Sequence, residues 1–121
     1  MVKTYFDVNV LVDLIGDRKH NFWLMVENHQ IFTSTLAIHI LMYVSKFKVP
    51  SEMVVNLIKN IEIIDFVEET MERALVGPTD DFEDNVQLHS AAEADCDYFL
   101  TLDKKLLSMK YFGKMVICDK L

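Results

Sequence analysis

The 121-residue chain is poor in glycine, cysteine and long uncharged stretches. Its three glycines stand alone, which excludes the glycine-rich loops that bind phosphates or dinucleotides. The two cysteines, Cys96 and Cys118, form no CxxC or Cys/His pattern, so we expect reduced thiols and no zinc site. No run approaches the roughly 18–20 apolar residues of a membrane span, and the N-terminus does not resemble a signal peptide. We therefore expect a cytoplasmic location and no membrane association.

Three further reaction centres are excluded by missing residues. The chain contains no G-x-S-x-G motif of a hydrolase nucleophile. A phosphatase with an aspartate nucleophile needs a second acid two residues after the first, and Asn9 stands at that place after Asp7. A phospho-receiver domain needs an acid pair near the end of its first strand, and this pair is also missing.

Basic residues are outnumbered by acids, and the net charge is −7. Between Ile61 and Asp97 twelve acids face a single base, Arg73, whereas from Thr101 onward five lysines face two acids. Because affinity for nucleic acid comes largely from neutralised phosphates, such a chain needs a divalent cation or its lysine-bearing C-terminal segment to bind a polyanion. The other interpretation is that most of the acids form a solvated helical surface.

Short apolar strands alternate with helical segments along the whole chain. Such alternation predicts an α/β fold, a three-layer α/β/α sandwich with a mainly parallel five-stranded sheet, as one domain over residues 1–121. The predicted strands are 2–6, 30–33, 61–66, 98–102 and 115–118. The predicted helices are 8–15 (ended by Gly16-Asp17), 20–29, 36–47, 51–60, 68–76 and 80–93, with Ser34 or Thr35 and Ser51 as N-caps.

Three acids are expected at one edge of this sheet. Asp7 directly follows the first strand and Asp103 directly follows the fourth, while Asp84 lies in the first turns of the helix that leads into the fourth. Ligands of parallel α/β sheets bind outside the carboxyl ends of the strands. Grouped carboxylates repel one another unless a cation lies between them, and oxygen ligands suit Mg²⁺ or Mn²⁺. Such an ion promotes phosphodiester hydrolysis.

Each acid also has a structural interpretation. Asp7 is a suitable N-cap for the next helix, and Asp84 is suited to the positive end of a helix dipole. Asp80 or Asp81 can cap the last long helix, and Asp103 can be a turn residue. Individually the signals are weak, and their combination carries the argument.

The same residues resemble the PIN domain family, which includes the VapC-like toxin ribonucleases. The segment from Asp7 to Asp13 (DVNVLVD) is similar to the opening D-x-N-V-L-x-D of that family. Ser34 followed by an apolar helix resembles the second family segment, and Asp81 to Asp84 (DFED) resembles its D-F-x-D stretch. The segment from Tyr98 to Lys104 (YFLTLDK) is similar to the strand that ends in the last family acid. The match runs in order over nearly the whole chain.

The resemblance implies a Mg²⁺- or Mn²⁺-dependent ribonuclease that hydrolyses single-stranded RNA. It further implies the toxin of a toxin–antitoxin pair, with an antitoxin protein as partner and a homodimer as the assembly. Carried over by position, the metal ligands and catalytic residues are Asp7, Asp84 and Asp103. Supporting residues are Asn9, Ser34, Thr101, His39 and Asp81.

One position departs from the family pattern. PIN nucleases usually carry a glutamate about six residues after the serine, and Ile40 occupies that position here. No acid lies anywhere from Thr33 to Val49, so His39 is the neighbouring candidate for a metal ligand or proton shuttle. A single histidine on an apolar helix is more often a packed residue. The departure therefore leaves two functions open: an active ribonuclease, or a weakened or inactive PIN module that binds RNA or a protein.

Overall fold

The computed structural model describes residues 1–16 and 19–121, and within them the chain forms six strands and seven helices. The strands are β1 (Lys3–Phe6), β2 (Gln30–Ser34), β3 (Glu62–Ile64), β4 (Tyr98–Leu100), β5 (Tyr111–Phe112) and β6 (Met115–Cys118). The helices are α1 (Val8–Ile15), α2 (Phe22–Met25), α3 (Thr35–Val44), α4 (Glu52–Ile58), α5 (Glu68–Ala74), α6 (Phe82–Glu93) and α7 (Lys104–Leu107).

The six strands form one sheet in the order β3-β2-β1-β4-β6-β5. All neighbours pair in parallel except β5, which pairs antiparallel with β6. The order reverses at β1, because β2 and β3 extend the sheet on one side of it and β4 and β6 on the other. Pairing of Phe6 with Leu100 brings the carboxyl ends of β1 and β4 side by side.

Two apolar layers cover the two faces of the sheet. Because successive strand residues point to opposite faces, Phe6 packs with one layer and Tyr5 with the other. The first layer joins Phe6 to helices α1 to α4 through Val10, Leu11, Leu14, Phe22, Ala37, Leu41, Val54 and Leu57. The second joins Tyr5 and Phe99 to α6 and α7 through Leu88, Ala91 and Leu106. The predicted α/β/α sandwich with a mostly parallel sheet is confirmed.

Side-chain caps start five of the described helices. The caps are Asp7, Ser34, Ser51, Asp81 and Asp103, each of which accepts a hydrogen bond from a backbone N–H at the start of its helix. These bonds satisfy amides that have no partner within the helix. The predicted caps Ser34 and Ser51 are confirmed, and Asp81 rather than Asp80 caps α6.

The predicted element set needs three corrections. The sheet has six strands and not five, because Tyr111–Phe112 forms a short hairpin with β6 around Gly113, whose φ of 62° suits glycine. The four-residue helix α7 was not predicted. Within the predicted helix 20–29, only the four residues of α2 are helical. Phe22 and Val26 are nevertheless buried, so their apolar spacing reflects burial and not a long helix. Asp17 of the predicted helix stop lies outside the described residues.

Both cysteines are free thiols, as predicted. No helix within the described part of the chain is long and apolar enough to cross a membrane.

Candidate active site

The strand-order reversal creates the site. Asp7 follows β1 directly and its backbone N–H donates to the carbonyl of Leu100, the last residue of β4, at 3.0 Å. Asp103 lies three residues beyond Leu100. The two aspartates therefore leave neighbouring parallel strands at the crevice where α/β sheets bind ligands.

A pocket of about 310 Å³ opens at this crevice. Its lining residues are Asp7, Val8, Asn9, Val12, Ile40, Asp81, Glu83, Asp84, Gln87 and Asp103. Five of these ten side chains are carboxylic acids, and none of the ten is a lysine or arginine. The three acids singled out from the sequence thus line one common cavity, although they come from three separate segments of the chain.

Asp7 is buried and accepts four hydrogen bonds. Its Oδ1 receives the backbone N–H of Val8 and the Nε2 of Gln87, each at 2.7 Å. Its Oδ2 receives the hydroxyl of Thr101 at 2.7 Å and the Nδ2 of Asn9 at 3.2 Å. Burial raises the pKa of the Asp7 carboxyl, the bonds from Thr101, Val8 and Gln87 oppose the rise, and the charge of Asp103 adds to it. Capping α1 is therefore only one part of what Asp7 does.

Asp84 is half-buried in the first turn of α6, and its pKa is raised to about 7. Burial is the main cause, and the neighbouring charges of Asp81, Asp7, Asp103 and Glu83 add to it in that order. A carboxyl group with this pKa is only partly charged at neutral pH, because burial and repulsion from its neighbours both disfavour the charged form. A bound cation would relieve that repulsion.

The other two aspartates at the pocket shape its rim. Asp103 caps α7 by accepting from the backbone N–H of Lys105 through Oδ1 at 2.9 Å. Asp81 caps α6 by accepting from the N–H of Asp84 at 3.0 Å. The ammonium group of Lys105 lies 2.9 Å from the Oδ1 of Asp80, which links α7 to the loop before α6.

The predicted supporting residues fall into two groups. Thr101 and Asn9 contact Asp7 directly. Thr101 Oγ1 also accepts a hydrogen bond from the backbone N–H of Asp103 at 3.0 Å. Asn9 Oδ1 accepts one from the backbone N–H of Leu102 at 2.9 Å. Ser34 is fully buried and reaches the site only indirectly, through the hydroxyl of Tyr5 at 2.8 Å.

The residue at the departing position faces the pocket and its neighbour does not. Ile40 lines both this pocket and an adjacent cleft, as does Glu83, whereas His39 lines the cleft but not the pocket. Consecutive helix residues point about 100° apart, which accounts for the separation. The structure therefore does not bring His39 to the pocket with the three aspartates.

The donor set suits a hard cation, but no cage for one is assembled. Among residues 1–16 and 19–121, no group of three His, Cys, Asp or Glu side chains is arranged to hold a metal ion. Mg²⁺ commonly binds through one or two carboxylates and keeps several waters, so a three-carboxylate cage is not required. Asp7, Asp84 and Asp103 all line the pocket, so one or two of them would be enough to hold such an ion together with its waters.

Two residues at the site were missed in the sequence. Gln87 is buried and donates to Asp7, and Tyr5 lies 3.1 Å from the Oε1 of Gln87. Gln87 follows Asp84 by three residues, so both lie on the same side of α6. This three-residue spacing is the feature of the sequence from which Gln87 could have been predicted to lie near Asp84.

Comparison with known proteins adds the fold relationship. No protein-family model and no curated protein matches the chain. Among solved structures, it is similar to VapBC2 from Rickettsia felis bound to a DNA fragment from their promoter, with a TM-score of 0.71 and 18% identity over 96% of this chain and 97% of that one. A toxin–antitoxin complex from Klebsiella pneumoniae gives a TM-score of 0.63 and 18% identity over 84% and 88% of the two chains. These likenesses show a PIN-like fold of the VapC type.

Proposed function

We propose that this chain with its PIN-like fold is a Mg²⁺- or Mn²⁺-dependent endoribonuclease and the toxin of a toxin–antitoxin pair. The observation that carries the proposal is the convergence of Asp7, Asp84 and Asp103 on one pocket at the strand-order reversal. The raised pKa of Asp84 supports it, because burial first and the neighbouring acids second make the charged carboxylate unfavourable unless a counter-charge is present.

The chain's own residues divide the work of phosphodiester hydrolysis. Asp84, Asp103 and Asp7 would hold the cation, and Thr101 and Asn9 hold the Asp7 carboxylate in place. A bound Mg²⁺ or Mn²⁺ would activate a water molecule and neutralise charge on the scissile phosphate. Lys104 is exposed and directly follows Asp103 in the sequence, so its positive charge would be available to the RNA backbone.

The similar structures support a protein partner. The structure from Klebsiella pneumoniae is described as a toxin–antitoxin complex and that from Rickettsia felis as VapBC2 bound to DNA, each at 18% identity to this chain. We therefore propose an antitoxin as partner, and a homodimer as the toxin's own assembly. Sedimentation of the purified chain tests the dimer: a monomer mass at all concentrations would contradict it.

The test of the nuclease function is cleavage of end-labelled single-stranded RNA by the purified protein. We expect fragments with Mn²⁺ or Mg²⁺, no fragments with excess EDTA, and restored cleavage when metal is added back. Duplex RNA and single-stranded DNA serve as comparison substrates. Cleavage that continues in EDTA would contradict the metal-dependent mechanism.

The second candidate function is an inactive PIN module that binds RNA or a protein without cleaving it. Ile40 favours this candidate, because an apolar side chain lines the pocket where the family usually places an acid. RNA binding in a filter assay, without cleavage under any metal, would support this function over the first.

Replacing Ile40 by glutamate separates the two candidates. Ile40 lines the same pocket as the acids, so we expect Ile40→Glu to raise Mn²⁺ affinity about tenfold, roughly 1.4 kcal/mol. Isothermal titration with Mn²⁺ measures the change, and Ile40→Gln, which has the same length but no charge, is the control. An inactive wild type that gains cleavage with Ile40→Glu would identify a degenerate site. Equal affinities for all three proteins would indicate that the pocket already has its full set of ligands.

A further inference from the structure

A buried glutamine forms part of the wall of the acidic pocket. Gln87 is 2% exposed on α6, and its Nε2 donates to Asp7 Oδ1 at 2.7 Å. The two residues are 80 positions apart in the chain, so this bond fixes α6 against the end of β1.

The orientation of the Gln87 amide is set from its other end. The Tyr5 hydroxyl lies 3.1 Å from Gln87 Oε1 and 2.8 Å from Ser34 Oγ. The Tyr5 hydroxyl is the donor to both Ser34 Oγ and Gln87 Oε1, so Gln87 presents its oxygen, and not its NH₂ group, to Tyr5. A flipped amide would direct its oxygen at the carboxylate. The network therefore favours one orientation, with the Nε2 toward Asp7.

The two oxygens of Asp7 are held unequally. Oδ1 receives two bonds of 2.7 Å, from Val8 and Gln87. Oδ2 receives one bond of 2.7 Å from Thr101 and a longer one of 3.2 Å from Asn9. The same Asn9 nitrogen also lies 3.2 Å from Thr101 Oγ1, so it is divided between two acceptors. Oδ2 is therefore the oxygen that gives up a donor most easily.

We propose that Gln87, oriented by Tyr5, is a positioning residue for the metal-dependent reaction. It anchors Asp7 Oδ1 to α6, so that Oδ2 is the oxygen offered to a divalent cation. The inference rests on the proposed nuclease function and adds to it two residues outside the set of acids. Hydrogen-bond partners of ligating groups typically change metal affinity or activity 10–100-fold when they are removed.

The test is Gln87→Met, which keeps the length of the side chain and removes the amide donor. We expect Mn²⁺ affinity to fall about 10–100-fold in isothermal titration. We expect kcat for RNA cleavage to fall by a similar factor while KM for RNA stays unchanged, because Gln87 is only 2% exposed and its amide donates to Asp7.

Thr70→Val is the matched control. Thr70 is 1% exposed on α5, and its hydroxyl donates to Glu93 at 2.6 Å, near the other end of α6. Losing this buried bond lowers thermal stability without changing any group at the pocket. We expect Thr70→Val to bind Mn²⁺ with wild-type affinity, which separates positioning of Asp7 from general destabilisation.

Tyr5→Phe is the second variant, in case Gln87→Met folds poorly. It frees the Gln87 amide to turn while keeping the aromatic ring in the core, so we expect a loss of Mn²⁺ affinity smaller than that of Gln87→Met. The combined variant is expected to lose no more than Gln87→Met alone, because both changes act through one hydrogen-bonded chain.

The outcomes distinguish this inference from the proposed function. Wild-type Mn²⁺ affinity and kcat in both Gln87→Met and Tyr5→Phe would overturn the positioning role and leave the nuclease proposal intact. A wild-type protein that neither binds Mn²⁺ nor cleaves RNA would overturn both.

Discussion

Replacement of Asp7 by asparagine is expected to reduce RNA cleavage by about 10²–10³-fold, or roughly 3–4 kcal/mol of transition-state stabilisation. Asparagine preserves the size of the side chain but removes its charge. Each carboxylate oxygen of Asp7 accepts two hydrogen bonds, and asparagine replaces one of these oxygens with an NH₂ group that can only donate. At least one hydrogen bond to residue 7 must therefore break, or one of its donors must reorient. The site then loses both a proposed metal ligand and part of the hydrogen-bond network that positions it.

Single-turnover cleavage of labelled RNA in Mn²⁺ measures this loss. The control is Asp13→Asn, a partly buried aspartate on α1, the helix that Asp7 caps; Asp13 pairs with His20 at 3.0 Å and does not line the pocket. We expect Asp13→Asn to cleave at close to the wild-type rate per folded molecule. Undiminished metal-dependent cleavage by Asp7→Asn would remove this carboxylate from the mechanism.

The position of the site could be predicted because it depends on local rules. Parallel strands separated by helices place their carboxyl ends at one edge, so Asp7 and Asp103 could be assigned to that edge from their place in the sequence alone. Asp84 could be added because its helix leads into β4. The position of Ile40 was identified instead from the family resemblance, and Ile40 lines the same pocket as the three aspartates.

The contacts of Gln87 and the orientation of His39 could not be predicted, because they depend on atoms that are far apart in the chain. Gln87 looks like an ordinary polar residue of α6, and only the packing of α6 against β1 shows that it is buried beside Asp7. The same limit applies to His39, which turns into a neighbouring cleft although it adjoins a pocket residue.

The elements that were missed are short or hold together by tertiary contacts. β5 has two residues and α7 has four, which is too few for a periodic pattern. The aromatic residues of segment 20–29 suggested a longer helix, but burial of Phe22 and the contact of Trp23 with Phe6 account for them. Hydrophobic spacing alone does not distinguish these cases.

Replacement of Asp84 by asparagine is expected to act in opposite directions on activity and stability. Cleavage should fall about as far as with Asp7→Asn, because the pocket loses one of the three carboxylates proposed to hold the cation. The free energy of unfolding of the metal-free protein should rise by about 1–2 kcal/mol above pH 7, a figure reduced from the full pKa shift because Asp84 is only half-buried. Chemical denaturation measures this change.

The pH dependence follows from the sign of the shift. The pKa of Asp84 is about 7 in the folded state against 3.8 ordinarily, so between these values the folded protein binds more protons than the unfolded chain. Asp84 therefore makes wild-type stability fall as pH rises from about 4 to about 7. The Asp84→Asn curve lacks this contribution, so the two proteins should be similar in stability near pH 4 and diverge toward pH 7.

Metal provides the decisive comparison for Asp84. A cation that binds only the folded state stabilises it by RT ln(1 + [L]/Kd), and the wild type gains more because it keeps the charged ligand. Saturating Mn²⁺ should therefore cancel or reverse the advantage of Asp84→Asn at pH 8. Glu68→Gln, which removes an exposed acid from the first turn of α5, should show neither the gain in stability nor the dependence on metal. If Asp84→Asn remained more stable than the wild type by the same amount in saturating Mn²⁺, Asp84 would not be a metal ligand. Its charge would then destabilise the folded protein without binding a cation.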